Sequence, residues 1–224
     1  ERSRGLGDVY KRQVLRRICD VDVTTDRGVA VPDGVLTSDL ADVMDDPEID
    51  VVIELVGGTT VAYDITLRAI EAGKDVVTAN KALLAERGRE LFQAAKARGV
   101  SISFEAAVGG GIPVIAAIRD GLIANDIRSI IGIVNGTCNY ILTQMAARGA
   151  SYDQALAEAQ ANGYAESDPT LDVEGIDTAH KLAILAALGF AADFPYRDIY
   201  VEGITHTCLL YTSDAADELD GVDL

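Results

Sequence analysis

Five carboxylates and one lysine lie close together between residues 163 and 181, and residues of these types can transfer protons. They are Glu166, Asp168, Asp172, Glu174, Asp177 and Lys181. Asp177 and Lys181 are four residues apart, so they share one face of a helix. Such a cluster can also bind a cation. The alternative is a solvated acidic loop with an ordinary salt bridge, and the spacing alone favours that alternative.

The pattern around this cluster predicts how its side chains are positioned. Pro169 and Gly175 interrupt the segment, which indicates a loop. The apolar run 182–188 follows it and predicts a buried helix that ends near Gly189. We therefore expect Asp177 and Lys181 to lie where a loop enters a buried helix.

Composition excludes several classes of function. The chain has 224 residues and a net charge of −17, which argues against nucleic acid or an anionic membrane as a partner. No apolar run reaches the roughly 18 residues that a membrane helix needs, and no signal peptide is visible. Cys19, Cys138 and Cys208 are scattered and form no disulfide or metal-binding pattern, so we expect a cytoplasmic protein.

Short apolar strands alternate with helical patterns in the first half of the chain. The strand patterns lie at 14–23, 50–56, 75–79 and 100–104, and the helical patterns at 39–44, 60–72 and 82–98. This alternation with short links predicts an α/β fold with a parallel, doubly wound, Rossmann-like sheet. The nearly continuous β-branched run 50–56 is typical of a strand buried on both faces.

The pattern changes after Glu105 and predicts a second, α+β domain. We expect a helix over 113–122, a strand over 129–134, and helices over 137–148 and 151–162. The ends, 1–13 and 207–224, resemble translated sequencing-adaptor read-through, and we treat them as non-native. The predicted domains are therefore 14–102 and 103–206, each of them incomplete.

Two of the predicted strands end in residues that suit a cofactor. A doubly wound sheet binds ligands at the carboxyl ends of its strands. Gly57, Gly58 and Thr59 follow one strand, and the glycines allow a cofactor to approach the backbone. Asn80 and Lys81 follow another, and a lysine at a helix start indicates a negatively charged or polar ligand. Taken singly, the glycines are better explained as a turn and Lys81 as a surface lysine. The occurrence of both features at one edge of the sheet favours a binding site.

Two further features each have a simpler alternative. The Gly-rich stretch 105–113 begins with an acid and could offer backbone carbonyls to a monovalent cation, or it could be a hinge between domains. Cys138 is predicted near a helix N-terminus, where a thiol can become a nucleophile. We favour a packing role for Cys138 because no histidine is paired with it in the pattern, and His180 points away from Lys181.

The expected phosphate-binding motif is missing from the sequence. No Gly-x-Gly-x-x-Gly pattern follows a first strand, and Gly109–Gly111 does not open a helix with the required spacing. Either the sheet binds no dinucleotide, or its first βα unit is absent. We favour the second interpretation.

Five segments resemble the homoserine dehydrogenase family in order and spacing. They are Glu54-Leu-Val-Gly-Gly58, Thr78-Ala-Asn-Lys81-Ala-Leu-Leu84, Phe104-Glu-Ala-Ala-Val-Gly-Gly-Gly-Ile-Pro113, Asn135-Gly-Thr-Cys-Asn-Tyr-Ile-Leu142 and residues 163–181. The resemblance covers about residues 14–206. It implies a truncated NAD(P)-binding domain at 14–102 and an incomplete catalytic and dimerisation domain at 103–206.

The resemblance implies an NAD(P)-dependent oxidoreductase of amino-acid biosynthesis. The family interconverts L-homoserine and L-aspartate 4-semialdehyde on the route to threonine, methionine and isoleucine. The implied cofactor is NADP or NAD, with a possible sodium ion, and the implied full-length protein is a homodimer. Asp20 and Asp22 could hold a ribose 2′-hydroxyl group, which would favour NAD.

The resemblance also assigns roles to residues of this chain. Lys181 matches the proton donor and acceptor, and Asp177 matches its acidic partner. Carboxylates around Lys181 stabilise its charged form, so we expect it to act most readily as an acid, in the aldehyde-reducing direction. The remaining matches are Glu166 and Asp172 for the substrate ammonium group, Lys81 near nicotinamide and substrate, Gly163 on the cofactor side, and Glu105, Val108, Gly110 and Ile112 around sodium.

Two alternatives follow from departures from the family pattern. Cys138 stands where we expect threonine, so an acylating semialdehyde dehydrogenase that uses this thiol is one alternative. The missing Gly-rich turn makes an inactive fragment the other. For the same reason we expect this chain to bind NAD(P) weakly or not at all.

Overall fold

The structure is a computed structural model and describes residues 13–192 and 195–207. Nearly all of the two segments that the sequence marks as non-native ends, together with Cys208, lies outside the described residues. The chain divides into two compact units, each described in turn. Unit one comprises 1–56, 60–78 and 90–103, and unit two comprises 57–59, 79–89 and 104–224.

Unit one is built on short parallel strands. The strands are β1 (Ile18–Cys19), β2 (Leu36–Thr37), β3 (Val51–Glu54), β4 (Asp75–Thr78) and β5 (Ile102–Ser103). β1 pairs with β2, and β3, β4 and β5 form a parallel sheet in that order. The predicted Rossmann-like parallel sheet is confirmed.

One helix packs on a face of the three-stranded sheet. The helices before β5 are α1 (Ala41–Met44), α2 (Val61–Glu71) and α3 (Lys81–Arg98), and α3 continues from unit two into unit one. α2 packs against β3 and β4. Val52 and Val76 are buried, whereas Val51 and Ile53 are 45% and 61% exposed. The prediction that β3 is buried on both faces is therefore wrong, because its alternate side chains face away from α2.

The first predicted strand is also shorter than expected. The pattern predicts a strand over 14–23, but only Ile18–Cys19 pairs with a neighbour. Asp20 accepts a hydrogen bond from the backbone N–H of Asp22, and Asp22 accepts from those of Thr24 and Thr25. These side-chain bonds turn the backbone away from the ladder and end the strand.

Two buried polar side chains fix the loops of unit one. The Glu54 carboxylate accepts hydrogen bonds from Val56 N, at 2.8 Å, and from the Thr78 hydroxyl, at 2.6 Å. Lys74 is 4% exposed, and its ammonium group donates to the carbonyls of Asp46 and Ile49. Glu54 therefore links β4 to the loop after β3, and Lys74 holds the loop before β3.

Unit two is helical in its described residues. After α3 come α4 (Val114–Ala116), α5 (Gly136–Arg148), α6 (Tyr152–Ala161), α7 (Thr170–Val173) and α8 (Ile176–Gly189), with single 3₁₀ turns at Glu105–Ala107 and Tyr196–Asp198. Ile141 of α5 packs with Ala155 and Ala159 of α6 and with Val173 of α7. Ser151 and Gln154 form a capping box at the start of α6, which explains why the sequence predicts this helix well.

Two predictions for unit two need correction. Residues 129–134 form no strand, since they have no hydrogen-bonded neighbour strand among the described residues, and Ile131 and Ile133 are exposed. A strand requires such a neighbour whatever its side-chain pattern. The helix predicted over 113–122 begins as α4 but continues as a π-helical turn, Ala117–Gly121. In the described part of the chain, no helix has the length and apolar character needed to cross a membrane.

Candidate active site

Asp177 lies between two lysines at the start of α8. Its Oδ2 atom is 2.6 Å from the Lys181 ammonium nitrogen, and its Oδ1 atom is 3.2 Å from that of Lys81, the first residue of α3. Lys181 also donates to the carbonyl oxygen of Val134 at 2.7 Å. The predicted Asp177–Lys181 pair is therefore formed. The side chains of Asp177 and Lys181 are only 10% and 18% exposed, so the pair is not an ordinary surface salt bridge.

Asp177 keeps its negative charge in spite of its burial. Burial by itself raises the pKa of this carboxyl group. Hydrogen bonds from Lys181 and Asn135 and the charges of Lys181 and Lys81 outweigh it, and they hold the pKa of Asp177 below its ordinary value. The site therefore contains a fixed anion that can orient a lysine.

Asn135 connects Asp177 to a second carboxylate. Its side-chain amide donates to Asp172 at 2.7 Å and to Asp177 at 2.9 Å. Thr137 donates its hydroxyl to Asp172 at 2.9 Å and lies within 2.8 Å of the Tyr164 carbonyl oxygen. The start of α5 thus holds the acids of α7 and α8 at fixed positions.

These groups open onto one cavity of about 600 Å³. Its wall combines a lysine, two carboxylates and several hydroxyl, phenol and amide groups. The lining residues are Asn135, Gly136, Thr137, Asn139, Tyr140, Thr143, Gln144, Tyr164, Asp172, Asp177 and Lys181. A polar cavity with convergent charged groups suits a small zwitterionic ligand.

The structure brings Asp172, Asp177 and Lys181 to this cavity, but it leaves other predicted residues outside the lining. Glu166 and Gly163 are exposed and belong to the loop that precedes α7. Asp168 also lies in that loop, where it caps the first turn of α7 through Thr170.

The predicted cofactor-binding residues at the two strand ends, 57–59 and 80–81, all belong to unit two. The Asn80 side chain donates to the Gly58 carbonyl oxygen at 2.7 Å and accepts from Leu83 N at 3.1 Å, which fixes the Gly58 loop to the start of α3. Gly57 and Gly58 have positive φ angles of 77° and 70°, and no atom lies within 4 Å of where a Cβ would be. The loop therefore exposes backbone that a flat ligand can approach.

The predicted sodium ligands surround a short turn. Glu105 accepts hydrogen bonds from Ile115 N at 2.9 Å and Ala116 N at 3.0 Å, so its carboxylate caps α4. Val108 is buried, Gly110 has a φ of 59°, and Ile112 is 67% exposed. In the described part of the chain no three His, Cys, Asp or Glu side chains form a metal-binding cluster.

Cys138 lacks the properties of a nucleophile. It is half-buried, and its thiol donates to the carbonyl oxygen of Asp172 at 3.1 Å. Burial, followed by the negative charges of Asp172 and Asp177, raises the pKa of the thiol to about 11. The packing role that the sequence favours agrees with this environment.

Sequence reasoning missed the roles of Asn135, Thr137, Tyr140 and Tyr164. Asn135 is 37 and 42 residues from its two carboxylate partners, and no local pattern predicts contacts at that separation. The available indication was the pair Asn135-Gly136 before a helical pattern, which predicts an N-cap but not its second role.

Comparison with known proteins identifies the family. One family model, "Homoserine dehydrogenase", matches residues 113–222, and another, "Homoserine dehydrogenase, NAD binding domain", matches residues 7–105. Together they account for most of the chain. The chain belongs to the homoserine dehydrogenase family.

Individual relatives of the chain agree with this assignment. A homoserine dehydrogenase of Pseudomonas aeruginosa is 57% identical over 76% of this chain. The crystal structure of one from Thiobacillus denitrificans is 52% identical, covers 83% of this chain and superposes with a TM-score of 0.77. A hyperthermophilic archaeal homoserine dehydrogenase mutant in complex with NADPH is 28% identical over 78% of this chain, with a TM-score of 0.69.

The chain is much shorter than these homoserine dehydrogenases. It spans 39% of the Pseudomonas aeruginosa protein, 43% of the Thiobacillus denitrificans chain and 53% of the archaeal chain.

Proposed function

We propose that this chain carries the proton-transfer site of an NAD(P)-dependent homoserine dehydrogenase, which interconverts L-homoserine and L-aspartate 4-semialdehyde. The observation that carries the proposal is the position of Lys181 on the wall of the cavity. Asp177 and the Val134 carbonyl hold its ammonium group. Two of its three N–H donors are used in this way, and the third can reach a ligand.

In this proposal Lys181 transfers the proton of the reaction. The nicotinamide supplies a hydride to the aldehyde carbon or accepts one from the alcohol carbon. In the reducing direction Lys181 donates a proton to the aldehyde oxygen, which becomes the hydroxyl group of homoserine. In the oxidising direction Lys181 takes that hydroxyl proton. Asp177 accepts a hydrogen bond from the ammonium group and so orients the proton donor.

The other predicted residues orient the reactants in this proposal. The acids Asp172 and Glu166 bind the ammonium group of homoserine. Lys81, held by Asp177, would contact both nicotinamide and substrate. The other residues that would hold the cofactor are Gly57, Gly58, Thr59, Asn80 and Gly163. A sodium ion at Glu105 and the carbonyls of Val108, Gly110 and Ile112, a homodimer, and a cytoplasmic location all stay predictions.

The choice between NAD and NADP depends on the residues after β1. A carboxylate there binds the ribose 2′-hydroxyl of NAD, and a nearby arginine accommodates the 2′-phosphate of NADP. In this chain a carboxylate and an arginine are both present after β1, and the Oδ2 atom of Asp20 lies 3.0 Å from the Nη1 atom of Arg27. The proposal therefore retains both cofactors.

Homoserine-dependent reduction of NAD⁺ and NADP⁺ tests the function. We would compare this chain with a hybrid that carries the Gly-rich first βα unit of a relative in front of residue 14, each with and without Lys181→Ala. Activity in the hybrid that falls at least 100-fold with Lys181→Ala supports the proposal. An active hybrid whose activity is unchanged by Lys181→Ala contradicts it.

A matched variant separates this reaction from acyl transfer through a thiol. Cys138→Ser keeps a hydrogen-bond donor to Asp172, so we expect the hybrid to retain its activity. Complete loss with this variant favours the acylating semialdehyde dehydrogenase instead.

A further inference from the structure

We infer that Asn135 is a positioning residue, which sets the charge and orientation of Asp177 and, through it, of Lys181. Asn135 is only 8% exposed and makes three hydrogen bonds. Its amide nitrogen donates to Asp172 and Asp177, and its amide oxygen accepts from Cys138 N at 2.8 Å. It is the point at which α5, α7 and α8 meet.

The backbone contact fixes which way the amide faces. A backbone N–H can only donate, so the group bound to Cys138 N is the amide oxygen. The amide nitrogen is then the group that faces the two carboxylates, and both of its N–H bonds have an acceptor. The orientation follows from the hydrogen-bond pattern.

The amide of Asn135 reduces the repulsion between two neighbouring carboxylates. Asp172 and Asp177 accept from the same nitrogen, so their carboxylates lie close together and repel each other. A neutral group with two donors stabilises both charges without adding one of its own. Among the described residues, the other ionisable groups that interact with Asp177 are Lys81 of α3, Cys138 of α5, and His180 and Lys181 of α8.

The same stretch of backbone also positions Lys181. Val134 accepts a hydrogen bond from the lysine, and Asn135 donates to the carboxylate atom that the lysine binds, Asp177 Oδ2. Two consecutive residues thus fix both members of the pair. The effect on catalysis rests on the proposed function, because it matters only if Lys181 transfers the proton.

A titration of Asp177 that needs no turnover tests the inference. The pKa of Asp177 is measured by ¹³C NMR of its carboxyl carbon, assigned with Asp177→Asn, in the wild-type chain and in Asn135→Asp. Aspartate also caps helices, so this variant keeps the cap of α5 but removes the two donors. We expect the pKa of Asp177 to rise by at least about one unit.

Asn139→Asp is the matched control. It makes the same substitution one helical turn further along α5, at an exposed position, and we expect a clearly smaller rise. Equal pKa values for Asp177 in the two variants would overturn the inference, because Asn135 would then be only a helix cap. If homoserine oxidation by the hybrid survives Lys181→Ala while the titration result holds, the proposed proton-transfer role is wrong and the positioning role stands.

Two measurements keep the test decisive if Asn135→Asp does not fold. Asn135→Ser keeps a capping oxygen without adding a charge. We expect the pKa of Asp177 to rise in this variant as well. In the wild-type chain, the side-chain NH₂ signals of Asn135 must shift with the titration of Asp177. Signals that do not respond contradict the inference.

Discussion

At the scale of single residues, Asp177 is the group on which the site depends. Its pKa is lowered because two lysines and Asn135 outweigh the effect of burial. A carboxyl group whose pKa is lower in the folded state stabilises the fold above its ordinary pKa. That contribution is lost as the pH falls through the lowered value.

We therefore expect Asp177→Asn to reduce the stability of the chain at neutral pH by about 1–3 kcal/mol, the usual loss for a hydrogen bond to a charged group. The difference from wild type should shrink as the pH falls below about 4, because the carboxyl group becomes protonated in the unfolded chain there and in the folded chain only at lower pH. Urea unfolding between pH 3 and pH 7 measures both effects. A difference that stays constant over this range would show that folding does not lower the pKa of Asp177.

Cys138 gives a second prediction at this scale. Its thiol has a raised pKa and a hydrogen-bond partner, so little thiolate is present at pH 8. We expect iodoacetamide to modify Cys138 at least about tenfold more slowly in the folded chain than in urea. Peptide mass spectrometry follows the modification, with the exposed Cys19 as the control. Equal rates at Cys138 in both states would contradict the structure of the site.

At the scale of secondary-structure elements, Gly175 controls how α8 begins. It has a φ of 79°, and a Cβ there would lie 2.8 Å from Val201 and 3.3 Å from the Glu202 carbonyl oxygen. Gly149, at the end of α5, has a similar φ of 63° but open space around it. A side chain at either position would strain the backbone, but only at Gly175 would it also collide with neighbouring atoms. Comparing the two positions therefore distinguishes the two effects.

We expect Gly149→Ala to cost about 1–2 kcal/mol, the usual penalty for a side chain in the left-handed conformation. Gly175→Ala should cost clearly more, because the collision adds to the same penalty. It should also disturb Asp177, two residues further along α8. Urea unfolding compares the stabilities, and the Asp177 carboxyl signal reports the local effect. Equal losses of stability in the two variants would contradict this prediction, because the segment around Val201 would then move aside without a loss of free energy.

The sequence predicted correctly those helices whose bounds depend on local interactions. The bounds of α2, α5 and α6 agree with the periodic patterns within one or two residues, because caps and helix periodicity are local. The strand expected over 129–134 failed because pairing depends on a distant partner. The Asp177–Lys181 pair was predictable from its spacing, but the contacts of Asn135 were not.

At the scale of the whole molecule, charge and the missing phosphate motif act together on cofactor binding. The chain has a net charge of −17 and contains no Gly-x-Gly-x-x-Gly. NAD(P) carries a diphosphate, which a Rossmann fold normally binds at a helix N-terminus after that motif. In the proposed function, the loop at Gly57–Gly58 and Lys81 bind the nicotinamide end of the cofactor and not its diphosphate.

We therefore expect NADPH to bind this chain with a dissociation constant weaker than about 100 μM, equivalent to less than about 5.5 kcal/mol of binding free energy. A Gly-rich first βα unit in front of residue 14 should strengthen binding at least about tenfold. Isothermal titration calorimetry compares the two proteins, and Lys81→Ala should weaken binding in the hybrid. Low-micromolar affinity in the unmodified chain would contradict this prediction, because the residues of this chain would then bind the diphosphate without that motif.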